Sequence, residues 1–348
     1  MRPLIVRFAA LGDMVLLTTL IEILHRRFGE RVDLLGSGGW TPHLLASDPR
    51  VGHVQLLGSR KSAYLTTPAQ WRAVKWLRRR PAGPVYLCEP DAKSAWLLKR
   101  AGIGDDSVLR AFDFPAGEQL QFSRWWEQIG QLTPRGIAAP PVLDLQQVDC
   151  APRLYISDQD HIDCEQWLRA RGWLPAPLVL IQPGNKRTLK RGRMAALTDN
   201  KYWPAERWAA VARAVLQAQP EAQVLLCGAP AEAGVLAEIC ELAASGPVHN
   251  LAAELPVRRL LPLIARATGM ISVDTGPAHA AAALDCPLVV MFGEQDQRVW
   301  RPRSRQAEVI VVGGAAGANS KLQDIGVDEV VAAWSRLLQR GPGGTSNT

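Results

Sequence analysis

The sequence has 348 residues but no uncharged apolar run of about 18 residues or more, the length a helix needs to cross a bilayer. Residues 1–8 form a short strand-like segment interrupted by Arg7, without the apolar core and small-residue cleavage site of a signal peptide. These absences exclude a membrane-spanning helix and predict a cytoplasmic protein.

The six cysteines include no C-x-x-C pair and no zinc-like spacing, so the sequence predicts buried free thiols rather than disulfides or a metal cage. The only D-x-D element, Asp158 and Asp160, falls at the predicted start of a helix, where capping explains both carboxylates. We therefore predict no metal and no cofactor for the chemistry.

The glycine cluster at residues 36–39 lacks G-x-G-x-x-G and follows the second predicted strand, which disfavours a Rossmann dehydrogenase. The net charge of +7 favours an anionic partner, which is a nucleic acid, an acidic membrane surface or a phosphorylated substrate. No nucleic-acid-binding module is recognisable, so no nucleic-acid partner is predicted. Much of the positive charge lies at residues 72–80 and 186–193.

Short apolar runs alternate with longer amphipathic segments in both halves of the chain, which predicts an α/β fold with parallel sheets. Predicted strands occupy residues 4–8, 32–35, 53–56 and 85–88, then 178–182, 223–227, 269–273 and 287–292. A proline-rich linker at residues 134–152 separates two Rossmann-like, doubly wound domains, residues 1–150 and 151–340, and residues 341–348 form a disordered tail. We expect the domains to face each other across a cleft.

Residues 7–19 predict the end of a strand, a small-residue turn and a helix that begins at or near Asp13. This geometry aims the Asp13 carboxylate into the cleft. An N-cap, stabilised by free N–H groups and the helix dipole, explains the same residue. Gly12 serves either the turn or the close approach of a substrate to the backbone.

Residues 270–284 run from an apolar strand through Asp274 and Thr275 into an alanine-rich helix that starts near Gly276. These are ordinary helix-start signals, but free N–H groups at the carboxyl end of a strand also form a phosphate site. His279 lies in the first turn, where it could donate to a phosphate oxygen or be merely structural.

Residues 198–208 predict a loop that enters a helix at Pro204. Lys201 lies just before this helix start, where its charge could neutralise a phosphate or simply be solvated. We expect Trp203 and Trp208 to pack in the core.

These three segments, taken together and in this order, resemble glycosyltransferase family 9, the heptosyltransferases of the lipopolysaccharide inner core. The shared elements are L-G-D at residues 11–13, K-x-W-P at 201–204, D-[ST]-G-x-x-H at 274–279, P-x-V-x-[ML]-F-G at 287–293 and an acidic, Trp-containing segment at 294–300. Each motif is short, but the combination is specific and covers the chain nearly end to end.

The resemblance implies a GT-B fold with an N-terminal acceptor domain and a C-terminal nucleotide-sugar domain. It implies an inverting, metal-free transfer of heptose from ADP-heptose to a sugar hydroxyl of the lipopolysaccharide core. Asp13 would be the general base, and Lys201 would balance charge on the departing ADP.

For the donor, the resemblance implies that the backbone at Thr275 and Gly276, with His279, holds the diphosphate. Asp274 would contact hydroxyls of the donor sugar, and Glu232 would lie near the nucleoside. The basic loop at residues 186–193 is longer than the family pattern predicts and fits an acceptor rich in phosphate or carboxylate.

Several alternatives stay open at this stage. They are a GT-B enzyme that uses another nucleotide sugar, an epimerase, which needs more acid and base groups than Asp13, and a non-catalytic sugar-nucleotide-binding protein. Trp71 and Trp76, with the arginines of residues 72–80, form either a transient contact with the inner membrane surface or a solvated helix. The acceptor sugar and the oligomeric state are not predicted.

Overall fold

The computed structural model describes residues 1–58, 66–90, 92–115, 120–184, 202–244, 246–314 and 321–339. The chain divides into two compact units, Met1–Tyr155 and Ile156–Thr348. Each unit has its own parallel sheet with helices between successive strands, as the alternating apolar and amphipathic segments predict. The predicted tail at residues 341–348 lies outside the described residues.

The first unit contains a five-stranded sheet in the order β3-β2-β1-β4-β5. Its strands are β1 Leu4–Val6, β2 Val32–Gly36, β3 Val51–Leu56, β4 Val85–Leu87 and β5 Val108–Arg110. Its helices are α1 Leu11–Leu16, α2 Thr18–Phe28, α3 Thr41–Leu45, α4 Pro68–Arg79, α5 Ala92–Arg100 and α6 Phe122–Gln131. Each neighbouring pair of strands is parallel, and Ile5 lies opposite both Leu34 and Tyr86.

The second unit contains a six-stranded sheet in the order β11-β10-β9-β6-β7-β8. Its strands are β6 Leu178–Gln182, β7 Gln223–Leu226, β8 Val248–Asn250, β9 Gly269–Val273, β10 Leu288–Phe292 and β11 Val309–Gly313. Its helices are α7 Asp158–Ala170, α8 Ala205–Ala218, α9 Ala233–Ala243, α10 Val257–Arg266, α11 Gly276–Ala283, α12 Gln297–Trp300 and α13 Val327–Gln339.

Strand order reverses once in each sheet, between β1 and β4 in the first unit and between β6 and β9 in the second. In open α/β sheets, loops diverge at such a reversal and leave a crevice outside the carboxyl ends of the strands, where ligands bind. The loops after β1, β4, β6 and β9 are therefore where a functional site is expected.

The predicted central strands are present because they are fully buried apolar runs, but β5, β8 and β11 were not predicted. All three lie at sheet edges, where β5 and β8 have only three residues each and expose part of their side chains. Short, half-covered edge strands carry a weak hydrophobic pattern, which explains the omission.

The predicted helix that starts near Asp13 is two helices, and it begins earlier, at Leu11. The break falls at Leu17, next to Thr18, whose hydroxyl donates to the Val15 carbonyl at 2.6 Å and accepts from the Arg153 N–H at 3.0 Å. Threonine hydroxyls that bond the preceding turn compete with the helix ladder.

The proline-rich connection after α6 is bound to the first unit by two buried arginines. Arg27 donates to the carbonyls of Gly130, Leu132, Pro140 and Pro141 at 2.7–3.2 Å. Arg50 donates to the Arg153 carbonyl at 3.1 Å. This connection is therefore packed chain rather than a free linker.

Arg50 is also the centre of a buried ionic cluster with Asp48 and Glu22, at 2.6 and 2.7 Å. Burial opposes ionisation of Glu22, but hydrogen bonds from Arg50 and Arg26 hold its pKa below the ordinary value. The favourable pairing outweighs desolvation only while all partners are present.

The prediction of buried thiols holds for every cysteine except the partly buried Cys240, and the prediction for tryptophan is confirmed. All six cysteines are free thiols and five are buried, and burial raises the pKa of Cys227 and Cys286 to about 12. Trp203 and Trp208 pack in the core of the second unit. Among the described residues, no helix is both long enough and apolar enough to cross a membrane.

Candidate active site

In the first unit, charged residues follow the two strands at which strand order reverses. Arg7 comes directly after β1, and Glu89 lies two residues after β4. Both side chains are buried, with Asp13 of α1 beside them. Parallel neighbouring strands bring these residues together although about 80 positions separate them in the sequence.

Asp13 is the third residue of α1, whereas Ala10 is the N-cap, so Asp13 is a first-turn acid rather than a cap. The Arg7 Nη2 atom donates to Asp13 Oδ1 at 3.1 Å, and the Asp13 side chain keeps 25% of its surface exposed. Gly12 is buried inside α1 instead of forming the turn before it. The result is a carboxylate that is fixed on one side and reachable on the other.

The Arg7 guanidinium is also held by groups other than Asp13. Its Nη1 atom donates to the Cys88 carbonyl at 2.8 Å and lies 3.6 Å from Glu89 Oε1, which also accepts the Phe8 N–H at 2.6 Å. The guanidinium lies 5.7 Å from the ring centre of Phe112. Sequence reasoning missed both Arg7 and Glu89; the available signal was a charged residue right after a buried strand.

In the second unit, β9 is fully buried and ends at Val273, and the next residue, Asp274, is 8% exposed. Thr275 is the N-cap of α11, but its hydroxyl turns back to the Val273 carbonyl at 3.2 Å and makes no capping hydrogen bond. Gly276 is the first helical residue. The N–H groups of this helix start therefore have no side-chain acceptor from Thr275, as a phosphate site requires.

His279 lies in the first turn of α11 and is 6% exposed. Its Nε2 atom is 3.6 Å from Asp274 Oδ1, too far for a hydrogen bond. Within the described part of the chain, its Nδ1 atom is buried without a hydrogen-bond partner. A buried ring nitrogen without a partner costs free energy that a polar ligand would recover.

Glu232 ends a short 3₁₀ turn, Pro230–Glu232, and is 5% exposed. Its Oε2 atom accepts the Ala229 N–H at 2.6 Å, while Oε1 is buried with no partner among the described residues. Burial raises the pKa of this carboxyl, and the Ala229 N–H opposes the rise only in part. A hydroxyl donor, such as a sugar hydroxyl, would complete the coordination of Oε1.

Two glycines shape the surroundings of Glu232. A Cβ atom at Gly184, after β6, would come within 2.2 Å of Glu232 Oε1. A Cβ atom at Gly228, after β7, would meet Leu236 at 2.9 Å and Glu232 Cβ at 3.2 Å. Sequence reasoning did not select these glycines, although each closely follows a buried strand.

Lys201 and the basic loop at residues 186–193 lie outside the described residues. Ser157, not Asp158, is the N-cap of α7, and Asp160 donates its backbone N–H to the Ser157 hydroxyl at 3.1 Å and pairs with Arg258 at 2.8 Å. In the described ranges, no group of three or more histidine, cysteine or acidic side chains could hold a metal ion.

Together these positions define the chemistry available in each unit. The first unit holds an ion-paired, partly exposed carboxylate, the form suited to a general base. Within its described residues, the second unit has a helix start that Thr275 does not cap and two buried polar atoms without partners, features that suit a nucleotide diphosphate.

The family model described as Glycosyltransferase family 9 (heptosyltransferase) matches residues 135–325, more than half of the sequence. The chain belongs to glycosyltransferase family 9.

Curated proteins named as lipopolysaccharide heptosyltransferases are also similar to the chain. The chain is 31% identical over 180 residues to the lipopolysaccharide heptosyltransferase 3 of Escherichia coli, a match that covers 48% of the chain and 49% of that protein. It is 23% identical to lipopolysaccharide heptosyltransferase 2 of E. coli strain K12, over 97% of the chain and 99% of that protein. The chain thus spans about half the length of the first of these relatives and nearly all of the second.

Solved structures agree over the whole chain. The family 9 glycosyltransferase of Veillonella parvula DSM 2008 has a TM-score of 0.79 at 16% identity, covering 98% of this chain and 97% of that one. E. coli ADP-heptose lps heptosyltransferase II has a TM-score of 0.72 at 20% identity, over 98% and 99% of the chains. E. coli heptosyltransferase WaaC with ADP gives 0.69 at 18% identity, over 97% and 99%. At these identities the likeness establishes the fold, which is the predicted GT-B class of two doubly wound units.

Proposed function

We propose that this protein is an inverting heptosyltransferase that moves a heptose from ADP-heptose to a sugar hydroxyl of the lipopolysaccharide inner core. The observation that carries the proposal is the Asp13 carboxylate, held at 3.1 Å by Arg7 and still partly exposed. The names of the relatives, lipopolysaccharide heptosyltransferases 3 and 2, and the ADP bound in a structural neighbour support the donor and acceptor classes.

On the donor side, the start of α11 at Thr275 and Gly276 would bind the diphosphate through its free N–H groups. The unpartnered Nδ1 atom of His279 would add a hydrogen bond to the same group. Asp274 would accept from hydroxyls of the heptose, and Glu232 would accept from a ribose hydroxyl through Oε1. Lys201 would neutralise charge that develops on ADP.

In the transfer itself, the acceptor oxygen attacks the anomeric carbon while the bond from that carbon to the ADP oxygen breaks. Asp13 takes the proton of the acceptor hydroxyl, and ADP leaves with the electron pair of the broken bond. A single displacement of this kind inverts the anomeric centre and needs one base on the acceptor side. The helix start and Lys201 would stabilise the leaving diphosphate, so we propose that no metal is required.

We also propose that the enzyme works in the cytoplasm and touches the inner leaflet transiently through α4 and α5. Trp71 and Trp96 are 47% and 49% exposed on these helices and stand among exposed basic residues. Exposed tryptophans among cations suit an anionic membrane surface. Arg80 takes no part, because its buried side chain pairs with Asp33 at 3.4 Å, and Trp76 is half-buried against His53.

The decisive measurement is ADP release from ADP-heptose with a de-acylated lipopolysaccharide core acceptor, in EDTA, for the native protein and Asp13→Asn. The exchange of Asp105, whose side chain is 92% exposed, for Asn is the matched control. We expect acceptor-dependent release that persists in EDTA and falls about 100-fold or more only in Asp13→Asn.

Each other outcome has a defined reading. If the protein binds ADP-heptose but does not turn it over, the proposed acceptor is wrong. If it turns over a different nucleotide sugar, that sugar replaces ADP-heptose as the proposed donor. Loss of activity in EDTA that added metal restores would overturn the metal-free mechanism. A protein that binds no ADP-heptose would refute the proposed reaction.

A further inference from the structure

We infer that Glu89 is a positioning residue that acts on the proposed base, Asp13, through Arg7; this inference rests on the proposed function. The three side chains form one chain of contacts at the carboxyl ends of β1 and β4, where strand order reverses. Glu89 does not contact the substrate in this account. Its effect passes entirely through the Arg7 guanidinium.

The first part of the argument is geometric. Glu89 Oε1 and the Cys88 carbonyl hold the Nη1 side of the guanidinium, so Nη2 is the nitrogen that reaches Asp13. Arg7 therefore binds Asp13 through Oδ1 alone rather than as a two-pronged fork. A single contact orients the carboxylate and leaves its second oxygen for the acceptor hydroxyl, whereas a bidentate pair would occupy both oxygens.

The second part concerns charge. A guanidinium next to a carboxylate favours its ionised form and weakens it as a proton acceptor. Glu89, 3.6 Å from the same guanidinium, shares the positive charge, so Asp13 experiences less of it. The Phe8 N–H donates to Glu89 Oε1 at 2.6 Å and fixes the carboxylate in this place. The Glu89 side chain is only 6% exposed.

Charged groups on α2 and α6, the helices in contact with α1, are engaged elsewhere among the described residues. On α6, Arg124 and Glu127 pair with each other at 3.6 Å. On α2, Glu22 pairs with Arg26 and Arg50, and the Arg27 side chain donates to backbone carbonyls. His25 bonds the Glu30 carbonyl. In the described part of the chain, Arg7 and Glu89 are therefore the charges that we assign to the control of Asp13.

The test compares Glu89→Gln with Glu89→Asp in the full-length protein. The amide keeps an acceptor for the Phe8 N–H but removes the charge, whereas aspartate keeps the charge on a shorter arm. We expect Glu89→Gln to lower kcat about tenfold, part of the roughly 10²- to 10⁴-fold that a positioned base supplies, with the KM for donor unchanged. The acid limb of its kcat/KM profile should move to lower pH, and Glu89→Asp should restore much of the loss.

A double-variant cycle separates this role from a structural one. If Glu89 acts through Arg7, then Arg7→Gln/Glu89→Gln should be no slower than Arg7→Gln alone. Additive losses, or an unchanged pH profile in Glu89→Gln with the same melting temperature as the native protein, would overturn the inference.

A readout without turnover keeps the inference separate from the proposed reaction. The titration of the Asp13 carboxyl carbon can be followed by ¹³C NMR, with Asp13→Asn assigning the signal. We expect its midpoint to move to lower pH in Glu89→Gln. If the native protein releases no ADP but this shift occurs, the proposed function fails and the coupling stands; if activity is found and the midpoint does not move, the coupling fails alone.

Discussion

In the Met1–Tyr155 unit, four carboxylates are bound to two arginines, whereas in the Ile156–Thr348 unit Glu232 and His279 keep buried atoms without partners in the described chain. Asp13 and Glu89 share Arg7, and Glu22 and Asp48 share Arg50. Among the described residues, the second unit leaves Glu232 Oε1 and His279 Nδ1 without hydrogen-bond partners, and the Thr275 side chain does not cap the start of α11.

This difference indicates two kinds of preparation for function. A paired carboxylate is held in place before substrate arrives, which suits a group that must meet a reacting hydroxyl in one orientation. An unpaired buried polar atom costs stability in the free protein and recovers that cost when a polar ligand binds. We therefore propose that the first unit is organised for reaction and the second for binding.

The largest effect is expected where the ionic cluster of the first unit is broken. Arg50→Met leaves Asp48 buried without its arginine and Glu22 with Arg26 alone, which should cost about 3–5 kcal/mol in the free energy of unfolding. Urea unfolding would measure the loss. Arg153→Met, an exposed arginine over the same Tyr155 ring, is the control and should change stability little. If Arg50→Met and Arg153→Met lost the same free energy of unfolding, charge pairing would not be what distinguishes this unit from the second.

The next effect is expected at Gly184 in the second unit. Gly184→Ala places a methyl group within 2.2 Å of Glu232 Oε1, so the loop or the carboxylate must shift, at a cost of about 1–3 kcal/mol. Thermal unfolding and calorimetric titration with ADP should both show a loss. Gly234→Ala, in α9 with nothing within 4 Å of the added methyl, should instead be neutral or slightly stabilising. If Gly184→Ala bound ADP as tightly as the native protein, Glu232 would not be a contact of the nucleotide.

A smaller effect is expected at His279, since its loss removes one donor to the diphosphate. His279→Ala should weaken ADP binding about tenfold, equal to about 1.4 kcal/mol, when measured by calorimetry. The exposed His43 of α3, exchanged for alanine, should leave the affinity unchanged. If His279→Ala bound ADP as tightly as the native protein, the buried ring would be a structural feature of α11 only.

The smallest effect is a pH dependence at Glu232. Because burial raises the pKa of Glu232 in the folded protein, its contribution to stability is fully present below the ordinary value of 4.5 and is lost as pH rises through the folded-state pKa. Glu232→Gln should match the native free energy of unfolding near pH 4 and exceed it at neutral pH by on the order of 1 kcal/mol. Saturating ADP should reverse this order. A difference independent of pH would show that Glu232 already has a partner.

Much of this architecture could be predicted from local sequence, since fully buried apolar runs mark the central strands and Asp274–His279 follows one of them directly. The pairing of Arg7 with Glu89 could not be predicted in this way, because it requires β1 and β4 to be neighbours in the sheet. Local sequence patterns do not show which strands are neighbours. The contact of Gly184 with Glu232 is hidden for the same reason. Short edge strands such as β5 were missed because only part of their surface is buried.

The packed connection after α6 also determines where the first unit can be cut. A shortened chain that ends at Leu132 would contain every strand and helix of that unit, yet Arg27 would lose the Pro140 and Pro141 carbonyls and Arg50 that of Arg153. Each buried guanidinium N–H group that loses its acceptor destabilises the fold by about 1–3 kcal/mol. A separately expressed first unit therefore has to extend to Tyr155, well beyond its last helix.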